Sequence, residues 1–356
     1  MSRPGSRTPA RRSAAPAPAV TVSAPARLHL GLLDLDGGFG RRFGGLGVAI
    51  DGPRTDVVVV AEGRDDVTDV APALAARLGE PGTEEVSGQL AEIVIRHRLA
   101  GLPAPRAARV RLLDAPVPHT GFGSGTQLAL AVGTALAHAA GFPLDATVVA
   151  RALRRGLRSG IGVGVFASGG LVVDGGQPVA PSEAEPAAGP LVLARYAVPD
   201  AWRFVVVVPR DGRGGRPAPS RPERDQGPRV ERVAEICRRL LMEALPAVVV
   251  GDLATFGRSL MVVQRLAAEE VELPPVTAGV LAALVDAGVA CAGRSAFGPA
   301  CYALVASQAE ADAVAGRVAR WLETHDAGAE LFVSAPDNDG ARVAASRGPV
   351  RSLRRP

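Results

Sequence analysis

Residues 118–136 read PHTGFGSGTQLALAVGTAL, in which three alternating glycines precede an apolar, alanine-rich run. Gly121, Gly123 and Gly125 allow the backbone to turn tightly and to bring its N–H groups against an anion. The run from Thr126 onward predicts a helix whose positive N-terminal end faces the same place. The alternative is a turn that only redirects the chain, and no Gly-Lys-Ser/Thr follows, so this is not a Walker loop. The predicted phosphate ligands are Gly121, Phe122, Gly123, Ser124, Gly125, Thr126 and Gln127.

The composition is that of a globular protein with a large core. The chain has 356 residues, of which 47% are hydrophobic and 21% charged, enough for one long or two ordinary domains. No run of about 18 apolar residues occurs, and no apolar segment follows the N-terminal arginines, so we expect neither a membrane span nor a secretory signal. The expected location is therefore cytoplasmic. Three cysteines without CxxC spacing argue against a disulfide framework and a structural zinc site.

The charge distribution argues against a nucleic-acid partner. Eight of the 40 basic residues lie in residues 1–19 and 346–356, so removing these tails turns the +4 of the chain into −4 for its body. A slightly acidic body lacks the basic surface of a nucleic-acid binder. All basic residues are arginines, because the sequence contains no lysine. A phosphate must therefore be held by arginine or by backbone amides.

The order of the predicted elements favours an α+β fold. Strands and helices mix without a regular βαβα repeat. We predict a disordered basic tail at 1–19, an N-terminal domain with the phosphate loop at 20–200, a C-terminal domain at 201–345 and a second basic tail at 346–356.

Residues 25–50, PARLHLGLLDLDGGFGRRFGGLGVAI, form a second candidate unit. On a strand, Arg27 and His29 share one face and could orient an anion or a ring. Asp34 and Asp36 share a face near the following turn, where Asp34 could take a proton or hold a metal ion. An ordinary strand with polar residues facing solvent is the alternative.

Two further units each place Arg-Ser in a glycine-containing turn. Residues 157–176, LRSGIGVGVFASGGLVVDGG, contain Arg158 and Ser159, with Asp174 at a strand end. Residues 291–304, CAGRSAFGPACYAL, contain Arg294 and Ser295. Two such turns suggest two anionic groups to be held, although each alone fits an ordinary tight turn as well.

Taken in order, these four units resemble the GHMP kinase superfamily over about residues 20–345, and more closely its branch of β-ribofuranosylaminobenzene 5'-phosphate synthases. The superfamily resemblance implies two lobes, an N-terminal α/β domain and a C-terminal ferredoxin-like α+β domain, with the active site between them. Two departures support the branch over a kinase. Gly125 replaces a serine that usually contacts magnesium, and residues 159–162 read Ser-Gly-Ile-Gly where many of these kinases have Ser-Gly-x-Asp with a catalytic Asp.

The resemblance implies transfer from phosphoribosyl pyrophosphate to 4-aminobenzoate or 4-hydroxybenzoate, with loss of pyrophosphate and carbon dioxide, in tetrahydromethanopterin biosynthesis. It also implies Mg²⁺, a homodimer and no membrane partner. The predicted catalytic residues are Arg27, His29, Asp34, Arg158 and Ser159; Arg294 and Ser295 would hold a carboxylate or phosphate, and Asp36 and Asp174 the metal.

Three other functions stay open from the sequence. A C-nucleoside synthase of antibiotic biosynthesis would join the same donor to a heterocyclic carboxylate. An ATP-dependent small-molecule kinase of the same superfamily would consume ATP instead. A non-catalytic ligand sensor on the kinase fold would bind its ligand without turnover.

Overall fold

The computed structural model describes residues 19–34, 36–63, 65–157, 159–179, 191–210, 229–267, 273–296 and 298–346. The predicted α+β class is confirmed by two β-sheets with helices packed on them. The strands are Ala19–Asp34 (β1), Arg41–Val60 (β2), Val67–Val70 (β3), Arg109–Asp114 (β4), Leu171–Asp174 (β5), Gln177–Pro178 (β6), Val192–Tyr196 (β7), Arg203–Pro209 (β8), Cys291–Arg294 (β9), Cys301–Val305 (β10), Ala329–Ser334 (β11) and Arg342–Ser346 (β12). The helices are Pro72–Leu99 (α1), Ser124–Ala139 (α2), Ala146–Ala152 (α3), Ile161–Ser168 (α4), Arg229–Arg239 (α5), a π-helical turn Leu240–Ala244, Leu245–Val250 (α6), Leu253–Ala267 (α7), Pro275–Asp286 (α8) and Gln308–Thr324 (α9).

The larger sheet carries the N-terminal lobe. Its strands run in the order β12-β1-β2-β4-β3. Strand β4 pairs with residues 56–60 of β2, whereas β5 pairs with residues 45–48 of β2 and, on its other side, with β7. The sheet is dominated by the long antiparallel hairpin of β1 and β2. Helices α1 to α4 lie on this sheet, and α2 is buried over most of its length because Ala, Leu and Val fill nearly all its positions.

An irregularity in the pairing of β1 with β2 lies beside the candidate site, where Pro25 of β1 is opposite residues 51–54 of β2. The pairing of β1 with β2 shifts register between Ala24 and Ala26. Val22, before the shift, packs under α1 and α2, whereas Leu28, after it, packs toward the second lobe. Beyond this irregularity Arg27 lies against Gly123 at the start of α2, and His29 lies with Ile161 of α4 against Gly45, so both side chains are on the helix side. Their predicted common face is thereby confirmed.

The C-terminal lobe has the predicted ferredoxin-like topology. Its four antiparallel strands are ordered β11-β8-β10-β9, and helices lie between β8 and β9 and between β10 and β11. Counted in chain order this is β-α-β-β-α-β with strand order 4-1-3-2. One face of the sheet packs on α8 and α9, and the other packs on α6, α7 and the N-terminal lobe.

The two lobes share one hydrophobic core. Leu28 and Leu30 of β1 pack with Phe204 of β8 and Leu260 of α7 in this core. After the C-terminal lobe the chain returns to the N-terminal lobe, where β12 pairs with β1 at the edge of the larger sheet. Residues near the C-terminus thus complete the N-terminal lobe. In the part of the chain that is described, no helix combines the length and apolarity needed to cross a membrane.

Candidate active site

The glycine-rich loop enters α2 as its sequence predicts. Gly121 has φ 100° and Gly123 has φ 72°, conformations that favour glycine. Gly123 is the N-cap of α2, and its carbonyl accepts from the N–H of Thr126 at 3.0 Å. The N–H groups of Phe122 to Gly125 have no acceptor among the described residues. These four donors at a helix N-terminus form the arrangement that binds anions.

Arg27 lies directly beneath this loop. A Cβ atom added at Gly123 would lie 2.9 Å from Arg27 Nε and 3.0 Å from its Cγ, so only glycine fits there. Arg27 Nη1 donates to the Gly121 carbonyl at 3.2 Å, and Arg27 N–H donates to the Phe122 carbonyl at 3.1 Å. Burial lowers the pKa of Arg27 to about 10, so it remains charged at neutral pH. No carboxylate of the described residues pairs with it, which leaves a desolvated positive charge under the loop.

The turn between β9 and β10 covers the loop from the C-terminal lobe. Ser295 Oγ donates to the Gly121 carbonyl at 2.8 Å and accepts from His29 N–H at 3.0 Å. A Cβ atom at Gly298 would lie only 2.2 Å from Gly121 N, so the two backbones are in direct contact. Ala300 N–H also donates to the Thr120 carbonyl at 3.2 Å. The loop is therefore held between β1 and the second lobe.

His29 is fully buried beside these contacts. Its ring lies near Gly45, where an added Cβ would be 3.0 Å from Nε2. Burial and, secondly, the charge of Arg27 lower the pKa of His29 well below its ordinary value. His29 is thus a neutral imidazole at physiological pH and does not act there as a cationic acid.

The third unit forms the N-terminus of α4. Asp174 is buried, and its two carboxylate oxygens accept from Gly160 N–H at 2.7 Å and Gly176 N–H at 3.1 Å. Burial raises the pKa of Asp174 despite these bonds and a further hydrogen bond with Ser159. Ser159 Oγ also accepts from Ile161 N–H at 3.3 Å. The side chains of Asp174 and Ser159 thus hold this turn in place. The predicted residue Arg158 lies outside the described residues.

The starts of α2 and α4 meet at Gly162. A Cβ atom added there would lie 3.1 Å from Thr126 Cγ2, so a side chain at position 162 would face the phosphate loop. Gln127 is buried, and its Nε2 donates to the Gly162 carbonyl at 2.9 Å. Gly162, the fourth residue of the Ser-Gly-Ile-Gly sequence, therefore faces the phosphate loop without a carboxylate.

Asp34 at the end of β1 and Asp36 just after it lie away from the loop, whereas Arg294 lies at the start of the turn that covers it. Asp34 Oδ1 accepts from the N–H groups of Asp36 and Gly37, both at 2.8 Å, and so shapes the turn after β1. At about 3.3 Å per residue, Asp34 lies roughly 16 Å along the strand from His29. Asp36 is exposed. Arg294 Nη1 donates to the Gly298 carbonyl at 3.1 Å, within the turn that covers the loop.

The carboxylates of the described residues are not grouped in threes as metal ligands. Both oxygens of Asp174 accept N–H groups, and Asp34 is engaged by its own turn. In the described part of the chain, no three His, Cys, Asp or Glu side chains come together as metal ligands would. The assignment of Asp36 and Asp174 to magnesium therefore stays a prediction that the geometry does not favour.

Sequence reasoning missed Gly298 and Arg41. Gly298 is required by its close contact with Gly121, which no local pattern reveals, since the two lie far apart in the chain. The guanidinium of Arg41 donates to the carbonyls of Gly175 and Gly176, both at 2.7 Å, which are likewise distant in the sequence. It fixes the strand end that carries Asp174.

This fold and site define an enzyme of the GHMP kinase fold. Residues 241–324 match the family model described as GHMP kinases C terminal. Homoserine kinase from Cytophaga hutchinsonii superposes with a TM-score of 0.62 at 18% identity, covering 96% of this chain and 100% of that one. Mevalonate diphosphate decarboxylase from Enterococcus faecalis superposes with a TM-score of 0.58 at 14% identity, covering 92% and 99%. These structures establish the fold.

Sequence similarity narrows the class to one family. The β-ribofuranosylphenol 5'-phosphate synthase of Archaeoglobus fulgidus is 34% identical over 300 residues, which cover 80% of this chain and 87% of the relative. That of Methanothermobacter thermautotrophicus is 32% identical over 311 residues, covering 80% and 88%. The chain belongs to the β-ribofuranosylphenol 5'-phosphate synthase family. The resemblance found in the sequence is confirmed, and the relatives' name specifies a phenol.

Proposed function

We propose that the chain transfers the 5-phosphoribosyl group of phosphoribosyl pyrophosphate to the ring of a 4-substituted benzoate, in tetrahydromethanopterin biosynthesis. The bond from the anomeric carbon to pyrophosphate breaks, and its electron pair leaves with pyrophosphate. A carbon–carbon bond forms at the ring carbon that carries the carboxylate. Carbon dioxide then leaves, and its bonding electrons restore the aromatic ring. Because the relatives' name specifies a phenol, 4-hydroxybenzoate is the favoured acceptor over 4-aminobenzoate.

The charged Arg27 beneath the phosphate loop carries this proposal. Breaking the anomeric bond builds negative charge on the leaving pyrophosphate and positive charge on the ribose ring. Four N–H donors from Phe122 to Gly125, the N-terminus of α2 and the desolvated guanidinium all favour the pyrophosphate anion. The site stabilises the leaving group without lysine, as the sequence requires.

Gly162 favours this reaction over ATP-dependent phosphorylation. A kinase of the Ser-Gly-x-Asp type needs a carboxylate to take the proton of the hydroxyl that attacks ATP. In decarboxylating transfer the attacking ring carbon carries no proton, so the reaction needs no base at this position. A glycine facing Thr126 therefore fits decarboxylating transfer and does not fit a kinase that needs a carboxylate at this position.

Magnesium stays part of the expectation, but no step is assigned to it. The residues predicted as its ligands, Asp36 and Asp174, are not part of any group of three possible ligand side chains in the described part of the chain. The homodimer likewise stays a prediction.

Pyrophosphate release from phosphoribosyl pyrophosphate tests the proposal. Parallel reactions with Mg²⁺ contain 4-hydroxybenzoate, 4-aminobenzoate, a heterocyclic carboxylate or no acceptor, with ATP alone as a further arm. Gly123→Ala places a Cβ against Arg27 at a positive φ and is expected to abolish release. Gly88→Ala makes the same change at an exposed helical position with nothing within 4 Å and is expected to retain wild-type release.

Release that depends on a benzoate and is matched by carbon dioxide supports the proposal and names the acceptor. Release only with the heterocyclic acid identifies a C-nucleoside synthase instead. Consumption of ATP alone identifies a kinase, and ligand binding without any turnover identifies a sensor. Each of the last three results overturns the proposed reaction.

A further inference from the structure

The orientation of one peptide unit in the phosphate loop is fixed from outside the loop. The Gly121 carbonyl accepts two hydrogen bonds, from Arg27 Nη1 at 3.2 Å and from Ser295 Oγ at 2.8 Å. A carbonyl oxygen has two lone pairs, so both are used. The peptide between Gly121 and Phe122 is planar and trans, which makes its carbonyl and its N–H point in opposite directions. The Phe122 N–H therefore points away from Arg27 and Ser295, and no described residue accepts it.

The Ser295 hydroxyl is restricted to this one role. Ser295 is fully buried, and its oxygen accepts from His29 N–H at 3.0 Å. Its single proton is donated to Gly121. The Ser295 N–H is also used, in a 2.8 Å bond to the Ala300 carbonyl. A hydroxyl whose proton is already donated within the protein has none left for a substrate.

We propose that Ser295 is a positioning residue for the pyrophosphate of the donor: together with Arg27 it holds the Gly121 carbonyl, so that the Phe122 N–H points into the anion site. This inference rests on the proposed function and deepens it. Ser295 belongs to the C-terminal lobe, whereas Gly121 belongs to the N-terminal lobe. The donor site therefore depends on a contact between the lobes. Ser295 therefore acts on the anion site through the loop backbone and makes no direct bond to a substrate.

Ser295→Ala tests the role, and Ser259→Ala is its matched control. Ser259 is also fully buried in the C-terminal lobe, and its Oγ donates to a backbone carbonyl, that of Arg239, at 3.3 Å. Both variants lose one buried hydroxyl-to-carbonyl bond, and Ser295→Ala also removes the acceptor of His29 N–H, so it is expected to lose more stability than Ser259→Ala. Only Ser295→Ala releases the phosphate loop.

Calorimetric titration with inorganic pyrophosphate is the first readout. Loss of a hydrogen bond of ordinary strength predicts a Kd about fivefold to tenfold higher for Ser295→Ala. The KM for phosphoribosyl pyrophosphate rises by a similar factor, and the KM for the benzoate does not change. Ser259→Ala keeps the wild-type Kd. Equal pyrophosphate affinity in the two variants, or a change confined to the benzoate KM, overturns the proposal.

Hydrogen–deuterium exchange of the peptide covering residues 118–127 is the second readout. Faster exchange of this peptide in Ser295→Ala, with no other change except at His29, whose N–H loses its acceptor, supports the positioning role and shows that the variant is folded. Exchange equal to that of Ser259→Ala overturns it. If the wild-type protein neither binds pyrophosphate nor releases it from the donor, the proposed function fails, while the exchange measurement still decides whether Ser295 holds the loop.

Discussion

Ser295 and Gly121 lie 174 positions apart in the sequence, and the hydroxyl of the first donates to the carbonyl of the second at 2.8 Å. The contact joins the turn after β9 in one lobe to the loop before α2 in the other. Phe122 reinforces it, because its buried ring lies 6.1 Å from that of Phe332 on β11. The phosphate loop is thus an element of the boundary between lobes, and changes in the C-terminal turn are expected to affect anion binding.

Gly298→Ala is expected to weaken pyrophosphate binding strongly. The added Cβ would lie 2.2 Å from Gly121 N and 2.3 Å from its Cα, so backbone must move. Overpacking of this kind typically costs about 1–3 kcal/mol, which corresponds to roughly fivefold to 150-fold in affinity if the cost falls on the bound conformation of the loop. Titration with inorganic pyrophosphate measures it. Gly88→Ala, an exposed helical position, is the control, and an unchanged Kd in Gly298→Ala would show that the turn and the loop separate freely.

Gly162→Asp is expected to weaken pyrophosphate binding without creating a kinase. The new side chain would face Thr126 at the start of α2, where its Cβ is already 3.1 Å from Thr126 Cγ2. Two unit negative charges about 8 Å apart would repel by about 2 kcal/mol at an effective dielectric constant near 20, which corresponds to about 30-fold in Kd. Gly162→Asn has the same size without the charge and separates crowding from repulsion. ATP turnover by Gly162→Asp would contradict the prediction.

The sequence alone predicts those helices and loops whose conformation is set by residues close to one another in the chain. Three alternating glycines before an alanine-rich run predicted the loop and α2. Asp145 precedes a helical pattern, as N-cap residues do, and its carboxylate accepts from Thr147 N–H at 2.7 Å. Gly79 interrupts a helical pattern, and the helix α1 is interrupted there, where φ is 72°. In each case neighbours in the chain decide the conformation.

Contacts between distant segments could not be predicted in this way. α4 was missed because its sequence, IGVGVFAS, is rich in glycine, and packing against β2 and β5 rather than helix propensity holds it. The pairing of β12 with β1 joins residues at opposite ends of the chain. The roles of Ser295 and Asp174 depend on which backbone groups reach them after folding. The residue types were identified from the sequence, while their partners required the tertiary structure.

His29 is expected to make stability fall as the pH decreases below neutrality. Its folded pKa lies well below the ordinary value of 6.5, because of burial and then the charge of Arg27. Below about pH 6.5 the unfolded chain therefore binds a proton that the folded chain does not, which favours unfolding. His29→Gln should flatten the dependence of the unfolding free energy between about pH 7.5 and about pH 5, measured by urea denaturation. His97, whose pKa is also lowered, retains part of the slope. An unchanged slope in His29→Gln would mean that His29 takes up its proton in the folded protein.

Asp337 ties β12 to the rest of the N-terminal lobe through a buried ion pair. Its Oδ2 lies 2.5 Å from Arg54 Nη1 and 3.3 Å from Arg342 Nη2, and its side chain is fully buried. Its Oδ1 accepts from the N–H groups of Asp339 at 2.9 Å and Gly340 at 2.8 Å. Burial raises the pKa of Asp337, but the hydrogen bond and charge of Arg54 and the two N–H donors outweigh this effect, so its pKa is lowered from 3.8.

Asp337→Asn is expected to lower the unfolding free energy by up to about 3 kcal/mol at neutral pH, because it removes the buried partner of Arg54 and leaves only the partly exposed Asp51 as its counter-charge. Asp69→Asn is the control: Asp69 also meets two arginines, Arg109 and Arg111, but at the surface, where such pairs contribute less than about 1 kcal/mol. A group with a lowered folded pKa contributes stability above its ordinary pKa and loses it as the pH falls. Denaturation curves should therefore show the difference between wild type and Asp337→Asn at full size above pH 3.8 and shrinking below it. A difference that persists unchanged in acid would mean that the cost comes from lost packing and not from the charge.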